Sequence, residues 1–277
     1  MCAEALGLTP DDAALRCGGG HSFDLARHGY VSLLDGRSAA LRADSAEMVA
    51  ARLRVHDSGV LAPAVTAVAE ATAAHLDQVS RPAPLIVDIG GGPGAYLRAC
   101  LRRVRGARGL VTDLSKHCAR SAVRGDPSAA AVVADVWRPL PIRSGSAAAA
   151  LSIFAPRNVA ETARILDADG RLLVLTPQPD HLTELIAPLK MLSVAPDKAD
   201  RVEAALATDF EVIDRRDLLW HTRAGATTIA DLVAMGPSAF HHDRESIDEI
   251  ADSVAAAHGG ALEVTCAVTL TVCRVRG

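Results

Sequence analysis

The stretch Leu85-Ile86-Val87-Asp88-Ile89-Gly90-Gly91-Gly92-Pro93-Gly94 decides the fold of this chain. Its apolar start is typical of a buried parallel strand, and a helical pattern runs from Ala95 to Val104. Glycines at alternate positions let backbone N–H groups approach a ligand that a Cβ would block. The stretch therefore predicts a strand, a ligand-binding turn and a helix. The alternative is a glycine turn with a purely structural use.

Two further apolar runs also end in an acid. Asp113 follows one of them, 25 residues after Asp88, and Asp135 follows the next. In doubly wound sheets, an acid after the second strand accepts hydrogen bonds from ribose hydroxyls. Each of these acids alone is also explained as a helix N-cap that follows a strand. Three acids in order at three strand ends favour a nucleotide-like ligand.

The glycine turn can be compared with two known motifs. Its spacing D-x-G-x-G-x-G, with Asp88, Gly90 and Gly92, resembles the first motif of class I S-adenosylmethionine (SAM) methyltransferases. It fits the dinucleotide fingerprint G-x-G-x-x-G/A less well, since it matches only through Ala95. The resemblance implies that Asp135 lies near the adenine amino group of SAM. A nicotinamide or flavin dinucleotide is the alternative ligand.

Strands and helices alternate from residue 85 to about 177, which predicts a parallel sheet with crossover helices. The predicted strands are 85–89, 109–113, 130–134, 147–153 and 171–176, followed by an antiparallel pair at 210–213 and 262–272. We therefore predict an α/β fold with a mostly parallel, seven-stranded, Rossmann-like sheet. The predicted regions are an N-terminal module (1–37), a helical linker region (38–84) and a SAM-binding domain (85–277) with an insertion at about 225–258.

Composition narrows the class of protein. The chain has 277 residues, of which 49% are hydrophobic, so it can bury a substantial core. No apolar run reaches the ~18 to 20 residues of a membrane span, and the N-terminus lacks a signal-peptide pattern. The six cysteines are scattered, which predicts a reducing, cytoplasmic location and no membrane association. The net charge of −4 neither favours nor excludes nucleic acid.

Five segments outside the glycine turn carry a family likeness. They are Cys17–Val31, Asp44–Arg52, Ile153–Asn158, Thr176–Leu182 and Met235–Ser238. Together they resemble the 23S ribosomal RNA guanine-N1 methyltransferases, most closely the actinomycete branch that gives resistance to tylosin-type macrolides. The resemblance implies a class I SAM methyltransferase with a small zinc-ribbon-like N-terminal module, which usually forms a homodimer.

The same resemblance implies an activity. Members of the family transfer a methyl group from SAM to N1 of one guanine in a 23S rRNA hairpin near the peptide exit tunnel. There the methyl group, with a neighbouring modification, hinders macrolide binding. Two alternatives remain at this point: a small-molecule SAM methyltransferase of a biosynthetic pathway, and a protein that binds SAM or RNA without catalysis.

The resemblance implies a zinc site in which Cys17 and His21 match the last pair of ligands. Cys2 matches the second cysteine of the first pair, and the first cysteine would fall before Met1. Structural zinc normally takes four protein ligands. The alternatives are a start further upstream, three ligands completed by water, or a lost site in which Cys2 is a free thiol and His21 a turn residue.

Motif matching also implies the cofactor contacts. Leu61, Gly92, Pro93 and His181 stand where the family contacts SAM, although Leu61 replaces the aromatic residue often found there. With the turn and the strand-end acids, the expected cofactor-binding residues are Leu61, Asp88, Gly90, Gly92, Pro93, Asp113, Asp135 and His181.

Methylation of guanine N1 requires that its proton leaves and that charge on the base oxygen is stabilised. Arg157 is a candidate donor to that oxygen, and Asp180 and His181 are candidate bases. Phe240 is a candidate to stack on the base, with core packing as the alternative.

Two groups of arginines could contact RNA. We expect the contacts from the group in and after the N-terminal module: Arg16, Arg27, Arg37, Arg42, Arg52 and Arg54. The helix face of Arg98, Arg102 and Arg105 is expected to be solvated instead.

Overall fold

The computed structural model describes residues 4–35, 41–79, 81–236, 239 and 243–276. Its main sheet contains β4 (Val31–Ser32), β5 (Leu85–Ile89), β6 (Arg108–Asp113), β7 (Ala129–Val133), β8 (Ala147–Ile153), β9 (Leu166–Pro177), β10 (Phe210–Gly225) and β11 (Ala261–Val275). The order across the sheet is β10-β11-β9-β8-β5-β6-β7-β4. Only the β9–β11 and β10–β11 pairs are antiparallel.

Nine helices pack around this sheet in the described part of the chain. They are α1 (Ala46–Asp57), α2 (Ala62–Gln78), α3 (Ala95–Arg103), α4 (Lys116–Gly125), α5 (Val159–Ile165), α6 (Thr183–Ile186), α7 (Lys198–Leu206), α8 (Ala226–Ala234) and α9 (Arg244–Ala257). Short polar side chains start several of them: Ser45, Ser115 and Asp243 accept hydrogen bonds from amides of the first turn. The sequence therefore sets helix starts as well as strands.

The connection order creates a switch point in the sheet. From β5 the chain runs to β6 and β7 on one side, and then returns to β8 and β9 on the other side. Between β5 and β8 the crossover connections therefore diverge, which leaves a crevice at the carboxyl ends of the strands. The glycine turn after Ile89 lies at this point, so the fold itself places the turn beside a ligand crevice.

All seven predicted strands are present, and the sheet has an eighth. The additional strand is β4, which pairs in parallel with β7 through Val31 and Val132. A two-residue strand is too short to show a periodic pattern in the sequence. The segment before it, expected to be loop-rich, forms a separate antiparallel sheet of β1 (Gly7–Leu8), β2 (Ala14–Arg16) and β3 (Ser22–Asp24).

The closing antiparallel pair is longer than the sequence predicts. β10 has 16 residues and pairs along β11 from Phe210 to Gly225, whereas only its first four residues were expected to be a strand. Most of its residues are partly or fully exposed, and charged residues such as Asp214 and Arg216 interrupt the apolar pattern. An edge strand needs no apolar outer face, so the apolar pattern of the sequence predicts a strand that is too short.

The predicted linker and the predicted insertion pack against each other. Residues of α1, α8 and α9 share one apolar cluster that includes Val55, Ile229 and Ala251. At its edge, the buried carboxylate of Asp231 accepts hydrogen bonds at 2.7 Å from both Nε and Nη2 of Arg54, and at 2.8 Å from Nη1 of Arg244. The three helices therefore form one unit held by apolar packing and a shared carboxylate.

Within the described ranges, no single helix is long and apolar enough to cross a membrane. Only α1 and α2 taken together pass a test of length and composition, and they are bent by 83° at the break between them.

Candidate functional site

A cavity of about 650 Å³ lies at the carboxyl ends of the parallel strands. All eight residues expected to contact the cofactor line it: Leu61, Asp88, Gly90, Gly92, Pro93, Asp113, Asp135 and His181. The strand ends and the glycine turn form one wall, and side chains of α1 and α8 contribute to the lining. The structure thus brings together residues that are up to 120 positions apart in the chain.

The glycine turn can be formed only by glycine at its central positions. Gly90, Gly92 and Gly94 have φ values of 66°, 55° and 77°, in the left-handed region that disfavours other residues. At Gly91 the constraint is space, because a Cβ would lie 2.4 Å from Cγ of Asp88. The turn is therefore shaped around the Asp88 carboxyl group.

The acids at the strand ends do not act as helix N-caps. Asp113 accepts hydrogen bonds from the backbone amides of Gly92 at 2.9 Å and Ser115 at 2.8 Å, while Ser115 itself caps α4. Asp135 accepts a hydrogen bond from the Trp137 amide at 3.0 Å, and no helix begins there. The carboxylates instead fix the turns that line the cavity.

Asp88 and Tyr96 are buried polar residues of the cavity wall. Neither oxygen of the Asp88 carboxyl group, nor the Tyr96 hydroxyl, has a hydrogen-bond partner among the described residues. Burial, reinforced by the charge of Asp113, raises the pKa of Asp88 to about 7, against a smaller opposing effect of the Arg98 charge. Buried polar groups are rarely left unpaired, so this part of the cavity suits a polar, cationic ligand group.

His181 is held as a neutral hydrogen-bond donor. Its Nδ1 accepts a hydrogen bond from the Ala267 amide at 3.2 Å, so the proton of the neutral ring lies on Nε2. Burial, with a smaller effect of the Lys198 charge, lowers the pKa of His181 to about 4. The ring therefore offers an N–H group at neutral pH. In this tautomer it does not serve as the base that the sequence suggested.

Two exposed aromatic rings line the cavity. Trp137 is 64% exposed and Phe154 is 42% exposed, in a chain with only 3% aromatic residues. Phe154 has φ of 52°, which is unusual for a residue with a Cβ, and its ring stacks on His181 with centroids 6.0 Å apart. Strained backbone of this kind is concentrated at functional sites.

The two candidate catalytic residues other than His181 lie outside the cavity lining. Asp180 is exposed, and its backbone carbonyl accepts a hydrogen bond from the Thr183 amide at 3.4 Å. Arg157 is half-buried and donates from Nη1 to the Ala155 carbonyl at 3.2 Å, and burial lowers its pKa. Phe240 falls outside the described residues.

Two of the arginines expected to contact RNA are instead used within the protein. Arg52 pairs with Asp44, donates to the Met235 carbonyl at 2.6 Å and lines the cavity, and Arg54 binds Asp231. Arg16, Arg27 and Arg42 are exposed, and Arg37 lies outside the described residues. Of the expected solvated helix face, Arg98 is only half-exposed and donates to the Pro93 carbonyl at 2.6 Å.

Sequence reasoning missed other residues of the cavity. His56 and Tyr96 both line it, and their rings meet edge to face with centroids 5.5 Å apart. Tyr96 carries no signal in the sequence, since it reads as part of the apolar face of α3. By contrast, Asp44 and Met235 stand in segments that carried the family likeness, and that likeness could have placed them here.

Two of the residues expected to bind zinc lie side by side in the structure. Sγ of Cys17 lies 3.3 Å from Nδ1 of His21, across a turn in which the Cys17 amide donates to the His21 carbonyl. Bond lengths of ~2.3 Å and ~2.0 Å in a tetrahedral zinc site require a similar separation. The described residues contain no group of three metal-ligating side chains, and Cys2 lies outside them. Cys17 and His21 fit two ligand positions.

Comparison with known proteins gives consistent matches. The family described as "RlmA, N-terminal", a zinc ribbon, matches residues 1–36. The "23S rRNA (guanine(748)-N(1))-methyltransferase" of Streptomyces fradiae is 45% identical over 267 residues, which cover 96% of this chain and 93% of that protein. The "Putative 23S rRNA (guanine-N(1)-)-methyltransferase" of Micromonospora griseorubida is 41% identical over 83% of this chain and 81% of that protein.

Proposed function

This chain belongs to the family of SAM-dependent 23S rRNA (guanine-N1-)-methyltransferases, and we propose that its cavity holds SAM and the target guanine side by side. The observation that carries the proposal is the convergence of all eight expected cofactor residues on one cavity. A volume of about 650 Å³ lies within the ~300 to 1,000 Å³ typical of ligand sites.

The order of polar groups along the cavity supports one orientation of SAM. Asp135, which follows β7, would hold the adenine, and Asp113, the last residue of β6, would hold the ribose. Asp88, at the end of β5, would hold the cationic amino-acid end beside Leu61. When bound, SAM supplies an electrophilic methyl group on its sulfonium sulfur. The protein's task is to bring guanine N1 to that group in line with the breaking bond.

The guanine would enter between the exposed rings of the cavity. Phe154 and Trp137 present faces on which a base can stack once it has left its helix. The Nε2–H group of His181, beside Phe154, would donate to the base oxygen and stabilise the negative charge that forms as the N1 proton passes to solvent water. Arg157, in the same loop as Phe154, is a second proposed donor after a rotation of its side chain.

Binding of the rRNA would depend on charge around the cavity mouth. Arg42 is exposed and lines the cavity, and Arg16 and Arg27 are exposed on the N-terminal module. Phosphate contacts by such residues position a nucleic acid without reading its sequence. We propose that the substrate is a hairpin of 23S rRNA that lines the peptide exit tunnel, and that the enzyme works in the cytoplasm, where ribosomes are made.

Two further parts of the proposal concern assembly. Cys17 and His21 would bind a zinc ion that holds the N-terminal module together, with Cys2 as a further ligand. We also propose a homodimer. The edge strand β10 supports it, because this strand exposes apolar residues such as Leu219, which is 65% exposed. Metal analysis and sedimentation of the purified protein test these two points.

The function is tested by incubating the enzyme with methyl-labelled SAM and transcripts of 23S rRNA. A methyl group on guanine N1 blocks base pairing, so reverse transcription of the product should stop next to one guanine. A small-molecule methyltransferase would leave the RNA unlabelled. Macrolide resistance, which the family likeness implies, is tested separately by expression in a susceptible bacterium that carries the neighbouring modification.

A further inference from the structure

We propose that Tyr96 is a further ligand of the methyl donor: its hydroxyl group donates a hydrogen bond to the carboxylate of the donor's amino-acid end. The inference rests on the proposed function, because it assumes that SAM occupies the cavity. It assigns a role to a residue in the first turn of α3, directly after the glycine turn.

The Tyr96 hydroxyl is a buried polar group. Tyr96 is 6% exposed and lines the cavity, and its hydroxyl has no hydrogen-bond partner among the described residues. An unpaired buried hydroxyl destabilises the fold, because its hydrogen bonds to water are lost and not replaced. A phenylalanine would fill the same space without this cost. The hydroxyl is therefore better explained by a ligand than by packing.

Tyr96 and Asp88 line the same cavity. Burial raises the pKa of the Tyr96 hydroxyl, and the Asp88 carboxylate adds a smaller effect in the same direction. The hydroxyl therefore stays protonated and remains a donor. In an amino acid, the ammonium and carboxylate groups are attached to the same carbon. If Asp88 holds the ammonium group, the carboxylate must lie close by and needs a donor of its own.

The Tyr96 ring is packed against a neighbouring ring. His56 contacts the Tyr96 ring edge to face, with centroids 5.5 Å apart, and both rings line the cavity. Burial, with the nearby charges of Arg52 and Arg98, lowers the pKa of His56 to about 4, so the imidazole is neutral. Arg52 lines the same cavity, where it is paired with Asp44. The ring is thus held in place, and the Tyr96 hydroxyl remains a donor without a protein partner among the described residues beside the cavity.

The test compares the affinities of wild type and Tyr96→Phe for two ligands, measured by titration calorimetry. The ligands are SAM and decarboxylated SAM, which keeps the amine but lacks the carboxylate. We expect Tyr96→Phe to bind SAM roughly ten- to a hundredfold more weakly, since a hydrogen bond to a charged group is lost. Its affinity for decarboxylated SAM should match that of wild type. Tyr30→Phe, which removes a hydroxyl away from the cavity, is the matched control.

Each other outcome overturns the inference. Unchanged affinity of Tyr96→Phe for SAM would show that the hydroxyl makes no contact with it. Equal losses for both ligands would assign Tyr96 a structural role instead. The melting temperature of the ligand-free variant checks folding, and we expect it to equal or exceed that of wild type. If wild type itself does not bind SAM, the proposed function fails, which is a result distinct from a failure of the Tyr96 assignment alone.

Discussion

The Asp113 carboxylate accepts a hydrogen bond from the backbone amide of Gly92 at 2.9 Å. This bond joins the end of β6 to the glycine turn that follows β5. The same carboxylate accepts a hydrogen bond from the Ser115 amide at 2.8 Å, at the start of α4. The acid expected to bind the ribose therefore also holds the turn that faces the rest of the ligand.

We expect Asp113→Ala to weaken SAM binding roughly ten- to a hundredfold, because hydrogen bonds to a charged group are lost on both the ligand and the turn. Asp113→Asn keeps an acceptor for the Gly92 amide and should lose less. Titration calorimetry with SAM measures both variants. Equal affinities of Asp113→Ala and wild type would contradict the assignment of this carboxylate to the site.

The raised pKa of Asp88 predicts a pH dependence of stability. In the ligand-free folded protein the carboxyl group keeps its proton up to about pH 7, whereas in the unfolded chain it loses the proton near its ordinary pKa of 3.8. Between these two values the unfolded chain binds fewer protons than the folded protein. The contribution of Asp88 to the free energy of unfolding therefore falls as the pH rises through this range.

Asp88→Asn removes this dependence. Urea unfolding at pH 5 and pH 8 should show wild type losing stability relative to Asp88→Asn as the pH rises, and the variant should bind SAM poorly at both values. Asp252→Asn, which changes an exposed carboxylate on α9, is the control. If the difference in stability between wild type and Asp88→Asn did not change with pH, the environment inferred for Asp88 would be wrong.

The sequence predicts those features in which local geometry restricts which residue can stand at a position. The strand, the glycine turn and the acids at 88, 113 and 135 were predicted because local geometry restricts their identity. The family likeness added Leu61 and His181, which lie in the same cavity. Strand β4 escaped prediction because two residues carry no periodicity, and it joins the sheet only through pairing with β7.

The contacts that were missed are between residues distant in the chain. Arg54 was expected at the RNA surface, because the sequence does not reveal that Asp231, 177 positions away, lies beside it. The sequence made His181 a candidate base. In the structure, the Ala267 amide of β11 donates to its Nδ1 and fixes the other tautomer, in which Nε2 carries the proton. Such assignments depend on which side chains the fold brings together, and single-sequence patterns do not contain that information.

The carboxylate shared by α1, α8 and α9 is expected to stabilise the cavity wall. The Asp231 side chain is 2% exposed, whereas those of Arg54 and Arg244 are 49% and 44% exposed. Because the arginines stay partly hydrated, Asp231→Ala should lower the free energy of unfolding by about 2 kcal/mol, less than for a fully buried pair. Urea unfolding gives this value.

Asp248→Ala is the matched control, since it removes another partner of Arg244 that is 47% exposed. We expect it to cost no more than about 0.5 kcal/mol. Similar losses in the two variants would mean that the burial of Asp231 has no energetic consequence, and the link between the three helices would need another explanation.

His181 and its neighbour Asp180 should differ sharply in catalysis. His181→Leu removes the N–H group proposed to stabilise the base oxygen, so turnover at saturating SAM should fall roughly a hundredfold. Asp180→Asn changes an exposed side chain outside the cavity lining and should leave turnover within about twofold of wild type. Methyl transfer to an rRNA transcript measures both. A larger loss in Asp180→Asn than in His181→Leu would restore Asp180 as the base.

The most direct test of the account is the chemical identity of the methylated nucleoside. A transcript of 23S rRNA, treated with the enzyme and SAM, is digested to nucleosides and analysed by chromatography and mass spectrometry. We expect 1-methylguanosine as the product of the wild-type enzyme. We expect none from the Gly91→Ala variant, because the added Cβ would displace Asp88 from the turn. Methylation at another atom or base, or an RNA that stays unmodified while wild type binds SAM, would contradict it.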